Sequence, residues 1–228
     1  MNKKDFELII FDLDGTLYPK SEQITRAFKK GAAKMVSKIE NVNREESEKI
    51  IEQKKQQLGD QMQGKVTYTL TLLTQWQVDI AEYEKAVAGS VNGIPDILNK
   101  DQLAISAVSK VADDYSIYLY TTNNSILTER LLNYLDMKEY FPEDRWFTVS
   151  TIKNLDVPQK GIVDYIKPGR SGFEYIINRE NVDYEQVLMV GDSQTSDIKP
   201  AEEMGMKSYK VSSRPDLYNL PTWLGLEG

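Results

Sequence analysis

The first apolar run of the chain, Phe6-Glu7-Leu8-Ile9-Ile10-Phe11, stops abruptly on Asp12-Leu13-Asp14-Gly15-Thr16. A run this short and this rich in β-formers reads as a buried strand, and the polar residues after it as a turn. It is far too short to cross a bilayer. Although Lys3 and Lys4 precede it, Asp5, Glu7 and Asp12 interrupt it, so it is not expected to be a signal peptide. Two carboxylates two residues apart, at the C-terminal end of a parallel strand, lie where open α/β sheets bind ligands. An ordinary Asp-Gly turn is the alternative.

The next hundred or so residues have a different character. Residues 21–114 are rich in Lys, Glu, Gln and Ala, with helical spacing at Ile24, Phe28, Met35 and Ile39 and again at Ile50, Ile51 and Leu58. Breaks at Gly59-Asp60 and Gly64 precede residues 68–76, and residues 83–87 read as one more short helix. Four or five helices are expected, with residues 89–95 marking the exit from the block. Strands and helices then alternate: strands at 117–120, 146–149, 187–190 and 208–211, helices at 126–135, 172–178 and 201–204. Such alternation implies βαβ units and a parallel sheet. The expected organisation is an α/β core of residues 1–17 and 114–228, with residues 18–113 inserted after the first strand.

Composition removes whole classes of chemistry. The 228 residues include no His and no Cys. Imidazole bases, thiolate nucleophiles, disulfides, HExxH sites and zinc ribbons are therefore all excluded. Carboxylates, hydroxyls, amines and backbone groups remain, and these suit hard cations such as Mg²⁺. With 28 basic and 35 acidic side chains, the net charge of −7 argues against nonspecific nucleic-acid binding. A small phosphorylated substrate answers only to local charge. No nucleic-acid or membrane partner is expected, and the reading is a cytoplasmic protein, monomer or homodimer.

Three further strand ends carry polar clusters. Tyr118-Leu119-Tyr120 runs into Thr121-Thr122-Asn123-Asn124, either a phosphate cradle or an ordinary helix cap. Lys167-Pro168-Gly169 precedes a helix; its lysine is a solvated charge unless the sheet brings it towards Asp12. Val190-Gly191-Asp192-Ser193, with Asp197 beyond it, again puts acids at the end of an apolar strand, beside a glycine that lets the backbone approach closely. A capped strand-to-helix turn is the alternative.

Taken in this order, the four segments resemble the motifs of the haloacid dehalogenase superfamily of phosphohydrolases. Residues 11–18 match motif I, Thr121 motif II, Lys167-Pro168 motif III, and Gly191-Asp192-Ser193 with Asp197 motif IV. The resemblance implies a Rossmann-like, doubly wound core with an inserted α-helical cap. It implies that Asp12 attacks phosphorus and that Asp14 serves as acid, then base. Mg²⁺ would be held by Asp12, the Asp14 carbonyl and Asp192, and the phosphate by Thr121, Thr122, Asn123 and Lys167. Asp197 and Ser193 would support these groups from behind. Lys160 is a rival for the lysine role, since residues 150–166 form a longer connection than is usual.

The acid at position 14 favours phosphate-ester hydrolysis over dehalogenation, because a halide leaves without a proton. Leu17-Tyr18-Pro19 resembles pyrimidine 5′-nucleotidases, with Tyr18, Thr67, Tyr68 and Trp76 as candidate specificity residues. A phosphoglycolate- or sugar-phosphate-type phosphatase is the nearest alternative, and a non-catalytic phosphometabolite-binding protein a different class.

Overall fold

The computed structural model describes residues 3–62, 64, 66–88 and 98–226. Five parallel strands, β1 (Leu8–Phe11), β2 (Ser116–Tyr120), β3 (Trp146–Phe147), β4 (Val187–Gly191) and β5 (Lys207–Lys210), form one sheet in the order β3-β2-β1-β4-β5. This is a Rossmann-like α/β architecture. Every residue of β1 and β4 is buried, which explains their unbroken apolar character. The chain winds outward from β1 through β2 to β3, then returns to the other side of β1 for β4 and β5. The crevice beyond β1 and β4 is thus the switch point where such sheets bind ligands.

Four helices follow β1: α1 (Glu22–Glu40), α2 (Arg44–Met62), α3 (Tyr68–Gln75) and α4 (Ile80–Ala88). Helix α1 packs on the other three. It presents Ile24, Ala32, Met35 and Val36 to them, whereas Ile39, expected on the same face, is exposed. The expected exit at residues 89–95, including Gly93-Ile94-Pro95, lies outside the described residues. Helix α5 (Gln102–Asp114) packs on β2 and on the last helix, α10 (Arg214–Leu224), so it lies against the sheet. Between them in sequence come α6 (Ser125–Tyr134), α7 (Val149–Lys153), α8 (Ser171–Glu180) and α9 (Lys199–Glu203). None of the described helices is long and apolar enough to cross a membrane.

The expected strand at 146–149 ends two residues early. Thr148 and Thr151 form a reciprocal capping box that starts α7 at Val149. The first strand likewise begins at Leu8, since Phe6 stacks on Trp223 of α10 instead of pairing in the sheet.

One guanidinium joins the two crossings between sheet and helical block. Arg214 donates from Nη1 to the Thr16 carbonyl (2.8 Å), from Nη2 to the Leu17 carbonyl (3.2 Å) and from Nε to the Asp101 carboxylate (2.9 Å). Asp101 also caps α5 through Ala104 N–H and accepts from the Tyr218 hydroxyl at 2.7 Å. The segment leaving β1 and the segment entering α5 are therefore tied to α10.

Candidate active site

Asp12 leaves β1 with its N–H bonded to the Val190 carbonyl (2.9 Å), so the β1–β4 ladder itself aims the carboxylate into the crevice. Its Oδ1 accepts from Lys167 Nζ at 2.6 Å and its Oδ2 from the Thr16 hydroxyl at 3.0 Å. Lys167 also donates to Asp197 Oδ1 at 2.7 Å, and all three charged groups are buried. Asp197 Oδ2 accepts from Ser193 N–H at 3.0 Å, while the Ser193 hydroxyl accepts from Ser196 N–H at 3.1 Å. Gly191 makes this packing possible, because a Cβ there would lie 2.5 Å from the Asp197 Cβ.

Asp14 stands on a tight turn closed by Gly15 N–H to the Tyr18 carbonyl at 2.9 Å. Gly15 has φ +95, and a Cβ there would meet Asp192 Oδ2 at 2.6 Å, so glycine is required on both counts. The Asp14 carboxylate accepts from Asn123 Nδ2 at 2.8 Å and makes a very short contact with the Tyr18 hydroxyl. Thr121 is buried at the end of β2, its N–H on the Phe147 carbonyl (3.0 Å) and its hydroxyl oxygen accepting from Asn123 N–H at 3.2 Å. Thr122 beside it is partly exposed.

Electrostatics separate the acids into roles. Burial pushes the Asp14 carboxyl up to about 6, with the Asp12 charge adding to the rise and the Tyr18 hydrogen bond opposing it. Burial also raises Asp192, again helped by Asp12 and opposed by Lys20. Burial alone would lower Lys167, yet the charges of Asp12 and Asp197 raise it well above the ordinary lysine range. The two flanking carboxylates thus favour the charged form of Lys167 beside Asp12, and burial favours the protonated form of Asp14.

The structure brings together Asp12, Asp14, Asp192, Asp197, Ser193, Thr121, Asn123 and Lys167. The Lys160 side chain lies outside those described, and Lys167 is the lysine on Asp12. Asn123 sits in the cluster, but its side-chain amide serves Asp14. Tyr18, a candidate for substrate specificity, has its phenol on Asp14 and is buried. The other three specificity candidates make their polar contacts inside the helical block. Thr67 caps α3, the Tyr68 hydroxyl donates to Glu52, and Trp76 Nε1 donates to Glu40 at 2.6 Å. Glu40 ends α1, about 28 Å along the helix from its start near the crevice. The Trp76 indole thus bonds to the C-terminal end of α1.

Lys20 was missed. Its Nζ lies 2.7 and 3.0 Å from the two Asp192 oxygens. No spacing rule marks a lysine eight residues after a strand-end aspartate.

Asp12, Asp192 and Asp197 each offer an oxygen, and these atoms lie within 4.8 Å of one another. An all-oxygen, anionic donor set fits a hard divalent cation such as Mg²⁺ and fits softer metals poorly.

A family model described as haloacid dehalogenase-like hydrolase matches residues 6–205. Among solved structures the chain is similar to a HAD phosphatase from Thermococcus onnurineus, with TM-score 0.59 and 19% identity over 97% of this chain and 99% of that one. It is also similar to a HAD-hydrolase of Bacillus subtilis solved with magnesium, with TM-score 0.58 and 19% identity over 96% of this chain and 100% of that one. A 2-haloacid dehalogenase from Pseudomonas syringae gives TM-score 0.54 and 17% identity over 96% of this chain and 98% of that one. At such identities the likeness establishes the fold, and one fold carries different chemistries. The side chains must decide between them.

Proposed function

The chain belongs to the family of haloacid dehalogenase-like hydrolases, and we propose that it is a Mg²⁺-dependent phosphatase acting on a small phosphate monoester through a phosphorylated Asp12. The observation that carries this reading is the state of Asp14. A carboxyl raised to about 6 and oriented by Asn123 and Tyr18 beside Asp12 is a proton donor near neutral pH. An ester oxygen needs that proton on leaving; a halide does not.

In the first step an Asp12 carboxylate oxygen attacks phosphorus. The P–O bond to the leaving group breaks, and Asp14 gives its proton to the departing alkoxide. In the second step Asp14, now a carboxylate, takes a proton from the water that attacks the phosphoaspartate, releasing phosphate and restoring Asp12. Lys167 and the Thr121 hydroxyl hold the charge spread over the transferring group, joined by the partly exposed Thr122. Asp197, bonded to Lys167 and Ser193 N–H, keeps the ammonium aimed at Asp12. Mg²⁺, held by the carboxylates of Asp12 and Asp192 with the Asp14 carbonyl, would offset the repulsion between Asp12 and an anionic substrate.

Helices α1–α4 form the proposed cap, and α5 goes with the core. A Cβ on Gly64 would lie 2.8 Å from the Thr195 methyl, so Gly64 sits close to the segment after β4. That proximity supports a substrate space beside Gly64 and the 12–20 segment. A pyrimidine nucleoside 5′-monophosphate is the first substrate to test, because of Leu17-Tyr18-Pro19.

The experiment is phosphate release, with and without Mg²⁺, across UMP, CMP, phosphoglycolate, sugar phosphates and an aryl phosphate. Mg²⁺-dependent turnover should fall by at least about 10⁴-fold in Asp12→Asn. Full activity in that variant would end the mechanism. Turnover of other esters with none of UMP or CMP would end the nucleotidase reading alone.

A further inference from the structure

Two ammonium groups serve the acid cluster, and they are held in opposite ways. Lys167 is sealed between two buried carboxylates. Lys20 stands on the segment between β1 and α1 with its side chain 54% exposed, and its ion pair is with Asp192. It spans both oxygens of that carboxylate, at 2.7 and 3.0 Å. The pair is fitted against the turn after Asp14. A Cβ on Gly15 would lie 2.6 Å from Asp192 Oδ2 and 3.0 Å from Lys20 Cε, so the missing side chain makes room for both partners.

Asp192 also contributes an oxygen to the cluster with Asp12 and Asp197. An ammonium bridging both Asp192 oxygens offsets the carboxylate charge and engages a lone pair on each oxygen, in competition with a cation. A divalent ion and the Lys20 ammonium at the same carboxylate would also repel each other at short range. We propose that Lys20 is a placeholder for the metal: it holds Asp192 while the site is metal-free and must leave when Mg²⁺ binds. This rests on the Mg²⁺ reading above. Three features suit the role: a long flexible stem, partial exposure and a position on a connecting segment, all of which let the group leave without unpacking the core. Lys167 lacks the exposure, being sealed between its two carboxylates.

A placeholder competes with the ion it replaces, so removing it should tighten metal binding. A purely structural lysine would leave affinity unchanged or weaken it through loss of order. The test is calorimetric titration of Mg²⁺ into the metal-stripped full-length protein, comparing wild type with Lys20→Met, Lys20→Gln and Lys20→Arg. The two neutral variants should bind Mg²⁺ about tenfold more tightly, and the arginine variant should stay within about twofold of wild type. Equal or weaker binding in both neutral variants would overturn the placeholder while leaving the metal reading intact. Failure of wild type and all variants to bind Mg²⁺ would remove the metal reading and the placeholder with it.

Discussion

The strand ends and the helical block divide the labour of this molecule, and they are built by different rules. At the strand ends Asp12 and Asp192 directly follow the buried strands β1 and β4, while Asp197 lies on the helical turn after β4 and Lys167 on the turn before α8. The buried charges are locked by partners of opposite character: Asp12 by Lys167 and Thr16, Asp197 by Lys167 and Ser193 N–H. In the helical block, by contrast, α2 buries only Ser47, Ile51 and Leu58 along its length. Its charges pair largely within the helix, as in Arg44 with Glu48 and Lys49 with Glu45, and such exposed pairs contribute little. The charged groups at the strand ends are thus held more tightly than those along α2.

The largest expected effect is at the strand ends. Lys167→Met leaves Asp12 and Asp197 buried without their shared cation. Stability should fall on the order of 3–5 kcal/mol, and turnover by roughly a hundredfold or more. Urea denaturation of metal-free protein checks the first; an unchanged midpoint would mean that the strand ends are not held by this ion pair.

A smaller effect sharpens the same point through pH. Asp14 has a folded value of about 6 against an ordinary 3.8, so the folded state holds the proton more tightly than the unfolded chain. Its contribution to stability is complete below about 4 and is lost as pH rises through about 6, an effect on the order of 3 kcal/mol. Asp14→Asn removes this dependence. The stability difference between variant and wild type, both metal-free, should therefore shift in the variant's favour between pH 4 and 7. A difference that stays flat would show Asp14 to be an ordinary carboxylate.

The smallest effect belongs to the helical block. Trp76→Phe removes the indole N–H bonded to Glu40 at the far end of α1, and should change kcat/KM by less than about twofold for any substrate. A tenfold loss for nucleotides alone would break the comparison by showing that the distal end of the block reaches the substrate.

This division also decides what was readable beforehand. Buried strands are continuous apolar runs, and a strand's end is where its polar residues begin. Asp12, Thr121 and Asp192 were therefore visible as positions before any contact was known, and the order of the motifs supplied Lys167. The helical block follows a 3.6-residue period that says which face is buried but not against what. The polar contacts of Thr67, Tyr68 and Trp76 within the block became visible only in the fold. Lys20 escaped for a related reason: its role depends on Asp192, 172 residues away in sequence, and no local pattern encodes such a pairing. The shortened β3 was hidden because Trp146-Phe147-Thr148-Val149 has ideal strand composition, while its capping box emerges only when Thr151 turns back on Thr148.

Arg214 adds a constraint on how the molecule is made. Synthesis proceeds from the N-terminus, and early segments begin to fold before later ones exist. The four helices after β1 can pack on one another as soon as residues 22–88 have emerged. The tie from Thr16, Leu17 and Asp101 to α10 cannot form until residue 214 arrives. A nascent chain therefore carries these four helices well before Arg214 can tie residues 16, 17 and 101 to α10.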